Sequence, residues 1–507
     1  MRQFVGMFTL GGLIPPLYNA PSIMTRKLSV FVLFAIVWIF YSWTARSDGQ
    51  PFVFEHGSTD HYNKLVDGFM EGHLYLSVLP DPRLLQAADP YEPSLNAPYR
   101  LHDASLFRGR YYLYFGPAPA VSLLLPFRLV TNLRLPERLA VALFLFAGLI
   151  VSYGCFQFLM QRFAPDAPIY FSVIAIALLG LGNFAPFILR RPGVYELAIA
   201  CGYFYFFTAI YFLLTGHCRE AKSSWRLAAS GICLGLAVAS RPTYGVPALA
   251  VLGMAGAALL RGSGGFRNWL KQALPLVLAF ACMIVLVLTY NYLRFENVLE
   301  FGQHYQLSSF RPGKIFSTDY FLYNFKIYLA APARIDRHFP FFHLVTQPAL
   351  LNAGLYGEPV GGILPTAPIA VLTLLLIPLW GGRAARRVQA THSEPLRLLS
   401  TLFAACGFAM LVLLSLAGGI TERYLLDFVP FFLFSALLVW LLLYRILQMR
   451  SVYRHAMNAV LILLLVFQVT LNVAVSLTGY YDNLLEENPV TYGKIRSWFS
   501  FIEPPVK

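Results

Sequence analysis

The sequence predicts an all-α integral membrane protein with about eleven transmembrane helices and juxtamembrane helices in two large loops on one side of the membrane. Of its 507 residues, 57% are hydrophobic and 13% are charged, and the mean hydropathy is +0.59. That composition excludes a soluble domain. Apolar runs of roughly 20 residues, enough to cross a bilayer, recur along the chain. They lie near residues 28–45, 138–160, 168–187, 195–215, 227–241, 244–260, 271–293, 363–380, 398–417, 427–445 and 456–477.

The distribution of charge orients these helices. With the N-terminus in the cytoplasm, the cytoplasmic segments hold 17 basic and three acidic residues, a difference equal to the whole net charge of +14. Cytoplasmic loops of membrane proteins are typically enriched in Lys and Arg. The basic composition therefore reflects topology, and it gives no reason to expect a nucleic-acid partner.

The same topology divides the chain into consecutive parts. They are a cytoplasmic segment at 1–27, a transmembrane module at 28–293 that includes outer loop A at 46–137, outer loop B at 294–362, C-terminal transmembrane helices at 363–477 and an outer tail at 478–507. Within loop A, the run Ala118–Val130 is too short to span and contains Pro126 and Arg128. We therefore expect an interfacial or re-entrant helix there.

The stretch His102–Pro119, HDASLFRGRYYLYFGPAP, is the most informative part of loop A. It combines charged and aromatic residues beside the membrane, which suits a polar head group attached to an apolar tail. An interfacial belt of tyrosines is the alternative interpretation, because Tyr collects at bilayer surfaces. The candidate substrate-binding residues here are His102, Asp103, Arg108, Arg110 and Tyr112.

Near the start of loop A, residues 58–76 predict a short helix. Tyr62, Leu65 and Phe69 fall on one face at helical spacing, and we expect that face to lie on the membrane surface. The polar side would then carry Asp60 close to the bilayer.

Asp60 has two interpretations. A carboxylate at this place can act as a general base on a sugar hydroxyl. Alternatively, Asp60 caps the helix N-terminus, since it and the preceding Ser58 and Thr59 are all good capping residues.

Several loop A histidines also lie near carboxylates, which raises a divalent metal as a cofactor. Their spacing matches no strong ligand pattern, so solvated or hydrogen-bonded histidines are the alternative. The residues concerned are His56, His61, His73 and His102 with Asp60 and Asp103, and His61 is also a candidate for substrate binding.

A second acidic position lies at an outer turn between two spans. In ILRRPGVYELA, residues 188–198, Glu196 stands in the first turn of a helix, where its charge suits the helix dipole. Ionisable groups at span ends are also functional candidates. We therefore consider Glu196 a second catalytic acid facing Asp60, with Arg190 and Arg191 as substrate-binding residues.

Further candidates follow in loop B and before the tenth span. Loop B opens with NYLRFENVLEFGQHYQL, residues 291–307, in which Arg294, His304 and Tyr305 are candidates for phosphate or sugar contacts. Arg423 and Tyr424 precede the tenth span. The planar fork of Arg suits a phosphate, whereas an Arg423 ion pair with Asp427, four residues on, would only neutralise itself.

These motifs together resemble the GT-C superfamily of polytopic glycosyltransferases. The likeness rests on the early Asp of loop A, on GRYYLYFGPAP at its end, on PERLAVALF, on Glu196, and on SRPT and TERYLLDFVP at residues 240–243 and 421–430. It is to bacterial members near the lipid A aminoarabinose transferases and protein O-mannosyltransferases, and to bacterial membrane proteins with an HDxSLxxGxYYLYFGP pattern.

The resemblance implies an inverting transfer of sugar from a polyprenyl-phosphate-linked donor to a lipid or glycan acceptor. It places the chain among membrane lipids in the bacterial inner membrane with a periplasmic active site, and it makes Asp60 the base. Family members often carry paired acids at that place. This chain has Asp60-His61, so a divalent-metal cofactor stays open.

Two other functions fit parts of the sequence. A flippase or transporter of lipid-linked sugars would carry ionisable residues at the bilayer midplane and repeated halves, which the nearly charge-free span centres disfavour. A surface-glycan polymerase or ligase would use arginine-rich outer loops, and loop B contains Arg311, Arg334 and Arg337.

Overall fold

The computed structural model describes residues 20–54, 60–217, 224–262, 265–309, 314–345, 356–447 and 451–501. Of the sequence predictions, those on residues 1–19 and on His56, Ser58, Thr59 and Arg311 lie outside this part of the chain. The described part is mainly helical, and its strands form short two-stranded pairs.

The helices of the N-terminal half begin and end as follows: α1 Ala20–Thr44, α2 His61–Met70, α3 Pro82–Leu85, α4 Pro93–Asn96, α5 Leu125–Thr131, α6 Glu137–Phe163, α7 Tyr170–Leu181, α8 Ala185–Ile188, α9 Val194–His217, α10 Ser224–Ser240, α11 Gly245–Gly262 and α12 Phe266–Phe295.

The helices of the C-terminal half are α13 Thr318–Ala330, α14 Ile363–Thr366, α15 Leu376–Leu379, α16 Gly382–Ala390, α17 Glu394–Ser415, α18 Leu425–Ile446, α19 Ser451–Thr478, α20 Asn483–Glu487 and α21 Pro489–Ser497. The strands are β1 Ser105–Phe107, β2 Arg110–Tyr112, β3 Arg334–Ile335, β4 Phe342–His343, β5 Tyr356–Gly357 and β6 Gly419–Ile420.

The predicted fold class is confirmed, because helices occupy every range predicted to span the membrane. Among the described residues, seven helices are long and apolar enough to cross a bilayer, or eight if a bent pair is one span. The count of eleven and the orientation in the membrane stay predictions. Burial is uneven: α18 is almost completely surrounded by protein, whereas α12 and α19 leave most of their apolar surface at the periphery.

The predicted span at 363–380 is not one straight helix. After α14 the chain forms a tight 3₁₀ segment, Pro368–Leu375, and α15; the axis then turns by 95° into α16. Pro368 disfavours the helical conformation at Ala367, whose φ of −137° and ψ of 54° lie outside it, and α14 ends there. Apolar composition predicted the segment correctly, but the proline decided its shape.

The helix predicted near Asp60 is present as α2, but its apolar face does not lie on the membrane surface as expected. Tyr62 and Leu65 are fully buried within the protein core, and Phe69 packs against that core. An amphipathic pattern shows which face is buried and not what covers it. Here protein, not lipid, covers the face.

The informative stretch of loop A folds into a hairpin followed by a short helix. Strands β1 and β2 pair antiparallel across a turn at Arg108 and Gly109, both with positive φ. The predicted interfacial run is a π-helical turn, Ala120–Leu124, continuing into α5. Asn132 ends α5 in the left-handed conformation that favours Asn and Gly.

Candidate active site

Tyr195, in the first turn of α9, is the point where both outer loops meet the helices. Its hydroxyl donates a hydrogen bond of 2.9 Å to Asp103 Oδ1. The Gln306 amide donates to the same carboxylate at 3.0 Å and to the Tyr195 hydroxyl at 3.1 Å. The guanidinium of Arg423 lies over the Tyr195 ring, 4.0 Å from its centroid. Segments of loop A, loop B, α9 and the start of α18 therefore form one polar cluster.

Next to this ring lies a group of ion pairs that are buried except on the side of Arg191. We call it the Glu358 network, and it consists of Arg191, Glu196, Glu358, Thr421 and Arg423. Arg423 Nη1 is 3.6 Å from Glu196 Oε1 and 3.5 Å from Glu358 Oε2. Arg191 Nη2 donates to Glu358 Oε1 at 2.7 Å, and the Thr421 hydroxyl donates to Glu358 Oε2. Burial alone would raise the pKa of Glu358, but Arg423, Arg191 and Thr421 outweigh it and hold that pKa below its usual range.

The predicted ion pair between Arg423 and Asp427 is wrong. Asp427 instead lies 3.0 Å from Arg241 Nη2, and both side chains are buried. Arg423 belongs to a 3₁₀ turn, Glu422–Tyr424, that precedes α18. The i,i+4 rule assumes regular α-helix, and it does not apply across that junction.

Asp60 occupies the N-cap position of α2, yet its side chain makes no capping hydrogen bond. Glu137, at the start of α6, replaces it: Oε1 accepts from the backbone N–H of Tyr62 at 2.5 Å and of Asn63 at 3.3 Å. The Asn63 amide donates to Leu135 O at 3.0 Å and to Asp60 Oδ2 at 3.3 Å. The capping interpretation of Asp60 is therefore wrong: its carboxylate lies at the N-terminal end of α2 but accepts no hydrogen bond from the backbone N–H groups of the helix.

The surroundings of Asp60 favour a basic carboxylate. Partial burial raises its pKa above the ordinary value, although Lys64, Asn63, Arg138 and His61 act in the opposite direction. His61 Nε2 donates to the backbone carbonyl of His102 at 2.8 Å. Asp60 is therefore adjacent to the end of loop A that also carries the Tyr195 contacts.

Gly116 brings the same loop end against α10. A side chain here would place its Cβ 1.8 Å from the carbonyl oxygen of Ala239, so only glycine permits this approach. The Tyr62 hydroxyl donates to Gly116 O at 3.3 Å. Gly116 therefore contacts both Tyr62 of α2 and the end of α10, just before the turn that carries Arg241.

Glu196 lies in the Glu358 network and not beside Asp60. It accepts hydrogen bonds from the backbone N–H of Gly193 at 3.2 Å and from the Tyr480 hydroxyl at 3.4 Å. Within the described ranges, no hydrogen bond or ion pair joins it to Asp60. Its role as a second catalytic acid stays a prediction, whereas its contact with Arg423 is structural fact.

Two of the candidate arginines hold the backbone of the protein. Arg294 in α12 donates to the carbonyl of Leu113 and to Asn291 Oδ1 at 2.7 Å. Arg190 donates to the carbonyl of Ser476 at 2.7 Å, and burial lowers its pKa to about 10. The exposed fractions of Arg294 and Arg190 are 2% and 1%, and their role in substrate binding stays a prediction.

The arginines of the hairpin are exposed. Arg108 forms a bidentate ion pair with Glu296, with Nη2 to Oε2 at 2.6 Å. The Arg110 guanidinium stacks over the Tyr75 ring at 4.3 Å. These side chains remain accessible from the outer surface.

The loop B candidates lie next to the hairpin. His304 is exposed and interacts with Glu300 at 2.6 Å. Tyr305 and the buried Tyr112 both pack on the Phe295 ring, with centroid distances of 5.7 and 5.3 Å. These aromatic contacts join loop B to the end of α12. His102 is exposed, and its Nε2 lies 3.5 Å from the carboxylate of Asp103, which also contacts Tyr195.

Three or more potential metal ligands of the His, Cys, Asp or Glu type do not converge anywhere among the described residues. His61 and His102, which the sequence suggested as ligands, are joined through a ring nitrogen and a backbone carbonyl. A divalent-metal cofactor stays a prediction from the sequence.

Sequence reasoning missed several residues of the site, including Tyr195 and Thr421, which lie unremarked within the quoted stretches 188–198 and 421–430. Glu137 and Arg241 lie in PERLAVALF and SRPT, so the motifs contained them, but nothing in either motif indicated a cap or an ion pair. Gln306 and Glu358 lie in loop B, where no local pattern distinguished them from other polar residues.

Comparisons with known proteins give a likeness to solved structures alone. No protein-family model matches the sequence, and no curated protein matches it. The crystal structure of ArnT from Cupriavidus metallidurans bound to undecaprenyl phosphate is similar, with 13% sequence identity and a TM-score of 0.46. The match covers 90% of this chain and 77% of that one. A likeness at this level assigns neither an activity nor a substrate.

Proposed function

We propose that this protein is a membrane glycosyltransferase that moves a sugar from a polyprenyl-phosphate-linked donor to an envelope lipid or glycan. The observation that carries the proposal is the division of labour between Asp60 and Glu137. Glu137 satisfies the N-terminal amides of α2, so the Asp60 carboxylate, partly buried and with a raised pKa, is left for chemistry.

In this reaction Asp60 acts as general base. It removes the proton from an acceptor hydroxyl while that oxygen attacks the anomeric carbon from the side opposite the phosphate. The new C–O bond forms as the bond to the phosphate oxygen breaks, which inverts the anomeric centre and releases polyprenyl phosphate. A raised pKa makes a carboxylate a stronger base and brings it closer to the working pH.

The remaining parts of the site have matching roles. Tyr195, Asp103 and the exposed Arg110 supply polar groups for the sugar, and arginines supply positive charge for the phosphate. The apolar outer surfaces of α12 and α19 face the surroundings of the bundle, as a lipid-linked substrate requires. The donor class, the bacterial inner membrane and the periplasmic side follow from the resemblance in the sequence motifs and belong to the proposal.

The test is mass spectrometry of envelope lipids and glycans from a deletion strain complemented with wild type, Asp60→Asn or Asp67→Asn. Asp67 is a matched control because it lies on the same helix and pairs with Arg134 at 2.8 Å. We expect a glycosyl-sized mass to disappear on deletion and to return with wild type and Asp67→Asn but not with Asp60→Asn.

Full restoration by Asp60→Asn, at equal protein level, would remove Asp60 as the base. A lipid-linked sugar that accumulates on the cytoplasmic side of the deletion strain would instead support a flippase. Loss of polymer length with intact single glycosyl groups would support a polymerase or ligase.

A further inference from the structure

Glu358 lies where an anionic ligand would be expected. Two arginines from separate parts of the chain, Arg191 between α8 and α9 and Arg423 before α18, converge on its single carboxylate. The Thr421 hydroxyl adds a third donor. Planar guanidinium groups that meet on one pair of oxygens, with a hydroxyl beside them, form the donor set that also suits a phosphate group.

Each of these arginines also contacts an aromatic ring, in addition to Glu358. The Arg191 guanidinium lies 3.9 Å from the centroid of the Tyr480 ring, and the Arg423 guanidinium lies 4.0 Å from that of Tyr195. The Arg423 side chain is 7% exposed, whereas that of Arg191 is 37% exposed. The donor set is therefore preorganised, and it is open to the outer surface on the Arg191 side.

Glu358 is attached to this site through loop B. The segment is fixed by the parallel pair β5–β6 and by the Glu358 backbone N–H, which donates to Ile420 O at 2.9 Å. Gly361 N–H donates to Glu422 Oε2 at 2.8 Å. Release of the Glu358 side chain would therefore loosen one of the attachments of loop B, while Gln306 retains another at Tyr195.

We propose that Arg191, Arg423 and Thr421 form a binding site for a phosphate group, and that Glu358 is an internal anion that occupies this site until a phosphate displaces it. The proposal rests on the proposed function only for the source of the phosphate, which is the donor or the released polyprenyl phosphate. Free inorganic phosphate has the same head-group chemistry, and the experiment separates the two.

Charge balance supports an exchange rather than simultaneous occupancy. The network holds two positive groups, Arg191 and Arg423, and two negative ones, Glu196 and Glu358. A phosphate monoester carrying up to about two negative charges would leave an excess of buried negative charge beside Glu358. Displacement of that carboxylate toward water removes one negative charge, so a singly charged phosphate leaves the network neutral, and a doubly charged one leaves it with one excess negative charge instead of two.

The test measures binding to the purified full-length protein by isothermal titration, with a polyprenyl phosphate and, separately, with inorganic phosphate. Glu358→Gln removes the competing charge, so we expect binding about tenfold tighter than in wild type, because the competent state no longer has to be freed first. Arg191→Gln should weaken binding by about tenfold. Glu92→Gln, an exposed loop A acid that accepts from Ser94, is the control and should bind as wild type.

Unchanged or weaker binding to a folded Glu358→Gln protein would overturn the internal-anion role. If Glu358→Gln does not fold, Arg191→Gln decides, and wild-type affinity in that variant would overturn the site. Inorganic phosphate that binds as tightly as the lipid would show that the head group alone is recognised.

Binding does not require transfer, so the two proposals fail separately. Asp60→Asn should bind the phosphate as wild type does while losing transfer. Tighter binding in Glu358→Gln together with no glycosyl transfer by any form would retain the phosphate site and refute the proposed function. Glycosyl transfer that depends on Asp60, together with phosphate binding that does not change in Glu358→Gln, would retain the proposed function and refute the internal-anion role of Glu358.

Discussion

Replacing Glu137 by Ala tests whether Glu137, and not Asp60, caps the N-terminus of α2. The carboxylate accepts two backbone hydrogen bonds, from the N–H groups of Tyr62 and Asn63, and both residues are buried. A typical hydrogen bond contributes about 0.5–1.5 kcal/mol, a buried donor left without a partner costs about 1–3 kcal/mol, and the loss of an N-cap side chain costs about 0.5–2 kcal/mol. Since one bond is long, we expect the free energy of local opening of α2 to fall by about 2–3 kcal/mol.

Hydrogen–deuterium exchange of the peptide that covers residues 61–70 measures this opening directly. A loss of about 2–3 kcal/mol corresponds to exchange that is roughly 30- to 150-fold faster in the amides that open with the helix. Glu137→Gln keeps an acceptor oxygen in a side chain of similar size, so its exchange rate should lie between those of wild type and Glu137→Ala. Glu71→Ala is the control, because Glu71 is exposed at the other end of the same helix.

Exchange at the wild-type rate in Glu137→Ala, in protein that remains folded elsewhere, would refute the cap. It would also return Asp60 to the capping role, because the α2 amides would then need another acceptor. The same peptide in Asp60→Asn should exchange no faster than in wild type.

Three further results are expected. Asp60 has a raised pKa in the folded protein, so its protonated form favours folding. This contribution to stability is complete at pH values below the pKa of the unfolded state and is lost as the pH rises through the pKa of the folded state. Melting curves measured against pH should therefore show Asp60→Asn more stable than wild type near neutral pH and equal to it in acid. Either Arg241→Gln or Asp427→Asn leaves one buried charge unpaired and should lower the stability of the protein by about 3–5 kcal/mol, and the double variant should recover part of this loss. Thermal melting in detergent measures the effect, and equal melting of the single variants and wild type would contradict the ion pair. Arg108→Ala breaks an exposed ion pair with Glu296 and should change stability by less than about 1 kcal/mol, so a loss of transfer in this variant, in the envelope assay, would come from a substrate contact.

The helices of this protein can be predicted from composition because a bilayer restricts which segments can span it. A span must satisfy every backbone polar group internally and expose apolar side chains, and both demands act on consecutive residues. Each predicted range therefore contains helix, and even the short helix at Asp60 was recognised from its periodicity. The shape of 363–380 was not, since Pro368 changes the path without changing the hydropathy.

Part of the site was also accessible from sequence. Asp103 was selected as part of the charged and aromatic stretch of loop A, whereas Arg191, Glu196 and Arg423 were selected as charged residues near span ends. The structure joins Asp103 to Tyr195 and places the other three in the Glu358 network. Arg190 and Arg294 satisfied the same criterion, yet they bind backbone carbonyls. Residue type and depth cannot separate an arginine for a ligand from one for the fold.

The sequence by itself determined the class of protein, the positions of its helices and the two loops that carry polar chemistry, because those properties depend on runs of neighbouring residues. The tertiary structure decided which charges pair. Glu137 caps a helix that begins far before it in the chain, and Glu358 reaches the arginines from loop B. Such pairings depend on where the packed helices place side chains that are distant in sequence, and no local sequence pattern shows which of these side chains come close together in space.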